Sequence, residues 1–115
     1  MLLKISLGVI LLCLMHICVW WGTNAQLLDS YSQKKAFWWA VSLSIPITLF
    51  AFYATRILYE SVCGSLWAVR FIGFGVSYLI FPIMTWYFLG ESMLTAKTVS
   101  CIFLSGIIVA IQIFL

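Results

Sequence analysis

The chain has 115 residues, of which 65% are hydrophobic and 8% charged, with a formal net charge of +3. Soluble globular chains carry about half apolar and about a quarter charged residues, so this composition excludes a water-exposed fold. Lipid is the solvent that accommodates such apolar faces. The few scattered basic residues give no nucleic-acid patch, and the length leaves no room for a catalytic domain outside the bilayer.

Crossing a hydrocarbon core of about 30 Å takes roughly 17–25 mostly apolar residues. Four runs meet that length, at 5–21, 36–58, 66–89 and 99–115. They predict an all-α integral membrane bundle of four transmembrane helices in a single domain, 1–115. The connections 22–35, 59–65 and 90–98 are short, so consecutive helices form antiparallel hairpins. Both termini then lie on one face, called the N-side below.

The first run follows Lys4 and ends near Thr23-Asn24-Ala25, features shared with a cleavable leader. It is read here as a helix. His16 lies near its middle, and an imidazole, with an ordinary pKa of about 6.5, changes charge near neutral pH. A neutral histidine bonded to a nearby carbonyl or hydroxyl satisfies the same position. Cys13 sits one turn earlier on the same face, but two ligands do not make a metal site, so no metal or other cofactor is expected. Cys13, Cys18, Cys63 and Cys101 lie in or beside apolar runs, where cysteine serves as a small packing residue.

Around the first connection stand Trp20, Trp21, Trp38 and Trp39, and Trp86 and Tyr87 approach the same face through the third run. Amphipathic rings at headgroup level form an aromatic belt; stacking on a ligand is the other use of such rings. Pro46 and Pro82 lie inside the second and third runs. Each lacks a backbone donor and crowds the carbonyl four residues earlier, at Ser42 and Tyr78, which bends a helix or opens a hinge.

Arg56 and Arg70 lie a few residues inside the N-side ends of the second and third runs. Glu60 is four residues from Arg56, the spacing of a helical ion pair, and both arginines can snorkel to the interface. Their guanidiniums also match an anionic headgroup at the mouth of a cavity. With Trp67 and His16 they are the candidate substrate-binding residues. The three carboxylates, Asp29, Glu60 and Glu91, fall in connections or at helix ends, so no acid lies mid-membrane. Ionisable groups within a membrane are costly and usually functional, so their absence restricts the mechanism. No nucleophile–base pair or nucleotide loop is present, and no enzymatic activity is expected.

Gly73 and Ser77 in the third run, and Gly106 and Ala110 in the fourth, have the small-xxx-small spacing of a packing seam. Lys4, Arg56 and Arg70 lie toward the N-side and Lys34, Lys35 and Lys97 toward the other face. Basic residues in short loops normally set orientation. An even balance predicts insertion both ways up and an antiparallel dimer, unless the first helix or a partner fixes the orientation.

The stretch Trp86-Tyr87-Phe88-Leu89-Gly90-Glu91-Ser92-Met93-Leu94-Thr95, followed by Gly106-Ile107-Ile108-Val109-Ala110, resembles the last two helices of the drug/metabolite transporter superfamily. Its four-helix members include the small multidrug resistance proteins and the subunits that flip aminoarabinose-modified lipid. Gly73 and Gly75 are similar to the glycines of that family's third helix. The resemblance covers residues 65–115 by motif and the first half by architecture. It implies transport, a dimer or heteromer, and a bacterial-type inner membrane. The small multidrug resistance pattern has a glutamate in helix one that binds proton and drug. Here that region reads Leu12-Cys13-Leu14-Met15-His16-Ile17, and Arg70 replaces an uncharged position. Proton-coupled export of cationic drugs is therefore not expected. The expectation is a transporter- or flippase-like protein for a weakly charged, anionic or lipid-linked solute. A non-transporting subunit of a larger membrane complex is the rival.

Overall fold

A computed structural model of the chain describes residues 2–28, 33–92 and 94–114. The described residues form four α-helices: α1 Leu2–Asn24, α2 Gln33–Ser61, α3 Leu66–Leu89 and α4 Ala96–Phe114. All four are long and apolar enough to cross a membrane, and no strand is present among the described residues. The protein is an all-α integral membrane protein.

Helix α3 has the limits its apolar run predicts, while α1 and α2 extend beyond theirs at both ends. Lys4, Lys34, Lys35 and Glu60 are helical. At 1.5 Å per residue α2 is about 43 Å long, enough to carry its ends through the headgroup region. Water satisfies charged side chains there, and the helix has no reason to stop at the hydrocarbon edge. Pro46 and Pro82 sit inside α2 and α3, which run through them unbroken.

The α2–α3 turn is closed by backbone geometry. Cys63 and Gly64 both take positive φ, 57° and 77°, and the Gly64 amide donates to the Tyr59 carbonyl at 2.9 Å. Two left-handed residues in succession end α2, a conformation costly for any side chain but glycine's hydrogen. The Ser65 hydroxyl then caps α3 by accepting from the Ala68 amide at 3.2 Å. At the other end Gly90, with φ 73°, sends its amide to the Trp86 carbonyl at 3.0 Å.

Helices α1 and α2 form the largest interface, α3 packs alongside α1, and α4 packs mainly on α3. Between α2 and α3 contact is sparse although a short turn joins them. The buried cluster is Leu12, Ala54, Leu58, Val69 and Val76, with Met15, Ile72 and Ile80 packed around it. No α4 residue is buried. A small interior under a large apolar exterior is the expected pattern where lipid bathes the outside.

All four cysteines are free thiols. Cys13 packs against the core as expected, but Cys63 and Cys101 are exposed. Asp29, expected in the first connection, lies outside the described residues.

Candidate functional site

Where α2 and α3 diverge, a cavity of about 490 Å³ opens between them and α1. Apolar side chains such as Leu12, Met15, Leu66 and Val69 make most of its wall. His16, Thr55, Arg70 and Ser77 supply the polar groups. Each comes from a helix face set by local spacing. Arg70, Gly73, Phe74 and Ser77 recur every three or four residues on α3, and Ala51 and Thr55 are four apart on α2.

The electrostatics of this cavity are one-sided. Arg70 keeps its charge under all ordinary conditions, and its guanidinium carbon lies 5.1 Å from the centre of the Phe74 ring. That cation–π contact holds the arginine along the wall. No carboxylate lines the cavity. The His16 imidazole lies beside the Gly73 backbone, and its Nε2 is buried without a hydrogen-bond partner. Buried polar atoms are nearly always paired, so this nitrogen is an unmet hydrogen-bonding group beside the cavity. Gly73 has open space where a Cβ would stand, which keeps the cavity wide at that level.

Of the four binding residues nominated by sequence, His16 and Arg70 share this cavity. Arg56 lines an adjoining groove of about 720 Å³ on α2, beside Phe52, Tyr59 and Glu60, which shares Ala51 and Thr55 with the cavity but neither His16 nor Arg70. Its Nε lies 3.9 Å from Glu60 Oε1, with both side chains more than half exposed. The predicted pair forms at the surface, where such contacts contribute little. Trp67 is 69% exposed and stacks on Phe71 at 6.1 Å, away from the cavity. Gly73 and Ser77 line the cavity, and the close approach of α3 to α4 runs instead through Gly75, facing Val109. Gly106 has no neighbour within 4 Å of a built Cβ, and Ala110 is exposed.

Sequence reasoning did not nominate Thr55 or Phe74. The available signal for Thr55 was a hydroxyl in the body of an apolar run; Phe74 carried none beyond its spacing from Arg70. Trp20 departs from the belt expectation. It is 3% exposed, and its Nε1 donates to the Thr85 hydroxyl at 3.0 Å, linking α1 to α3. Its ring packs near Phe88, with centroids 5.3 Å apart. Trp38, Trp39, Trp86 and Tyr87 are exposed, as belt residues are.

Beside Trp20 lies a second cavity, of about 200 Å³, lined by His16, Val19, Trp20, Thr23, Ser77, Ile80 and Phe81. His16 and Ser77 belong to both cavities. A search of family models, curated proteins and solved structures finds no match to this chain.

Proposed function

We propose that this chain is a small transporter- or flippase-like membrane protein that moves an anionic or lipid-linked solute. The carrying observation is a membrane-level cavity holding Arg70, His16, Thr55 and Ser77 with no carboxylate in its wall. In a low-dielectric setting an anion gains charge-assisted hydrogen bonds from a guanidinium, whereas an isolated cation meets repulsion without a compensating acid. The motif resemblance to the drug/metabolite transporter superfamily supports the same reading, and with it a bacterial-type inner membrane and an antiparallel homodimer or heteromer.

The test is reconstitution into liposomes. The wild-type chain is expected to move a fluorescent anionic phospholipid analogue or a small organic anion, and to fail at proton-driven uptake of a quaternary ammonium dye. Loss of one charged hydrogen-bond partner, worth about 1.5–3 kcal/mol, corresponds to roughly a tenfold or greater drop. Arg70→Ala should show that drop and exceed the effect of His16→Ala. Proton-driven uptake of the quaternary cation, abolished at His16 and untouched at Arg70, overturns the proposal.

A non-transporting subunit is the second reading, and α4 favours it. The helix buries none of its residues, while Phe103, Leu104, Ile108, Ile111 and Phe114 all stand exposed. That face suits a larger membrane partner as well as it suits lipid. Purification only in company with another protein, without solute movement, selects this reading.

A further inference from the structure

The cavity between α1, α2 and α3 and the groove on α2 have two wall residues in common, Ala51 and Thr55. One turn apart on α2, these small side chains form a ridge with a trough on either side. Each trough carries one arginine, Arg56 in the groove and Arg70 in the cavity. Arg56 precedes the end of α2 at Ser61 by five residues, and Arg70 follows the start of α3 at Leu66 by four. At 1.5 Å per residue both stand about 6–8 Å inside the N-side helix ends, at one level.

From that level the groove follows α2 to Ile47, about 14 Å deeper, and the cavity follows α3 to Ser77, about 11 Å deeper. One leaflet supplies about 15 Å of a 30 Å hydrocarbon core, so each trough has the depth of an acyl chain's bed. Ile47 and Phe52 line the groove, and Leu12, Met15 and Phe74 line the cavity. The Thr48 hydroxyl in the groove donates to the Ser44 carbonyl at 2.8 Å, so its polarity is already satisfied within α2. Ser61 likewise donates to the Ile57 carbonyl at 2.8 Å. Thr55, on the ridge, has no hydrogen-bond partner among the described residues.

The permanent charges on the two walls are Arg56, Arg70 and Glu60, which sum to one positive charge. Glu60 meets Arg56 only through Nε, at 3.9 Å and well exposed. Such a pair contributes little and leaves most guanidinium donors unspent.

We infer that the cavity and the groove together hold one two-chain anionic phospholipid. Its phosphate sits at the Arg56–Arg70 end of the ridge, one acyl chain lies in each trough, and the Thr55 hydroxyl donates to the phosphate or to an ester carbonyl. Basic pockets between membrane helices suit such head groups, and arginine forks match phosphate. The inference rests on the anionic-solute reading of the cavity and narrows it. The solute enters sideways from the bilayer, where sparse contact between α2 and α3 leaves an opening. A soluble anion uses Arg70 and leaves the groove without a role.

The test reads binding rather than transport, by native mass spectrometry of the full chain in mild detergent. The ligands are dioleoyl phosphatidylglycerol, its one-chain lyso form, dioleoyl phosphatidylcholine and glycerol 3-phosphate. Dioleoyl phosphatidylglycerol is expected to bind at least about tenfold more tightly than each of the others. Arg56→Gln and Arg70→Gln should each weaken it on the order of tenfold, as expected for a lost charged hydrogen bond. Glu60→Gln removes the one opposing charge and should tighten it. Thr48→Trp fills the groove and should bring the two-chain lipid down to the affinity of its lyso form. Thermal melting of each variant in the same detergent confirms that it is folded. Equal binding of the phosphatidylcholine, or indifference to both Arg56→Gln and Thr48→Trp, overturns the two-trough site. Glycerol 3-phosphate binding as tightly as the lipid, with dependence on Arg70 alone, also overturns it and leaves the anionic-solute reading standing. Binding of none of the three anionic ligands counts against both.

Discussion

A Cβ built on Gly8 would stand 2.6 Å from Leu58 Cγ and 2.7 Å from its Cδ2. Leu58 is fully buried, so its side chain has no free volume into which to retreat. This one contact fixes how closely α1 approaches α2 over the largest interface in the bundle. In lipid, close approach is the main source of helix association, because no hydrophobic drive brings the helices together. Gly8→Ala should therefore lower stability by about 1–3 kcal/mol, the usual cost of overpacking. A lowered apparent melting temperature in mild detergent is the readout. Adding Leu58→Ala to the same chain should restore part of the loss, since the space it vacates accepts the methyl. An unchanged melting temperature in Gly8→Ala would remove this contact from the account. Nothing in the sequence flagged Gly8, because a lone glycine in an apolar run has no partner until the opposing helix is known. The same blindness hid Thr55, which lines one cavity with His16 only because α1 and α2 pack in one particular rotation.

Helix α4 is the element whose role the isolated chain least accounts for. Gly106 faces open space and none of the helix's residues is buried, so α4 contributes little to the fold beyond its contact with α3. That makes it a clean place to test self-association. Gly106→Leu meets nothing within the chain and should leave the monomer's melting temperature unchanged. If two copies meet through Gly106 and Ala110, the leucine blocks close backbone approach and weakens the assembly. Size-exclusion chromatography with light scattering would show the shift from dimer to monomer. An unchanged oligomer in mild detergent removes this seam and favours the accessory-subunit reading. The four elements themselves were legible, because runs of 17 or more apolar residues leave a membrane helix as the one economical arrangement. Their ends were less so. Lys4, Lys34, Lys35 and Glu60 were placed outside the runs, yet helices carry such residues into the headgroup layer while the long side chains reach water. His16 and Arg70 were legible as candidates because titratable and charged groups are rare in this composition. That they share a cavity while Arg56 and Trp67 do not depends on which helix faces meet, and spacing within one helix does not fix that.

At the scale of the whole molecule, the distribution of positive charge decides which way up the bundle sits. Lys4, Arg56 and Arg70 lie toward the N-side ends of α1, α2 and α3, while Lys34, Lys35 and Lys97 lie at the opposite ends of α2 and α4. Flanking lysines and arginines orient a membrane protein through their asymmetry between the two faces. Here the described helices place three on each face, so the electrostatic preference nearly cancels. A chain inserted in both orientations supplies the two copies of an antiparallel dimer. Reporters fused to the C-terminus, one active only in the cytoplasm and one only outside it, should both give signal. Replacing Lys34 and Lys35 by glutamine leaves Lys97 alone on that face against three on the N-side. The positive-inside preference then places the N-side in the cytoplasm, and the external reporter should fall silent. A wild-type chain that lights only one reporter, with no response to the Lys34 and Lys35 replacements, would mean that the first helix or a partner sets the orientation. The antiparallel homodimer would then lose its physical basis.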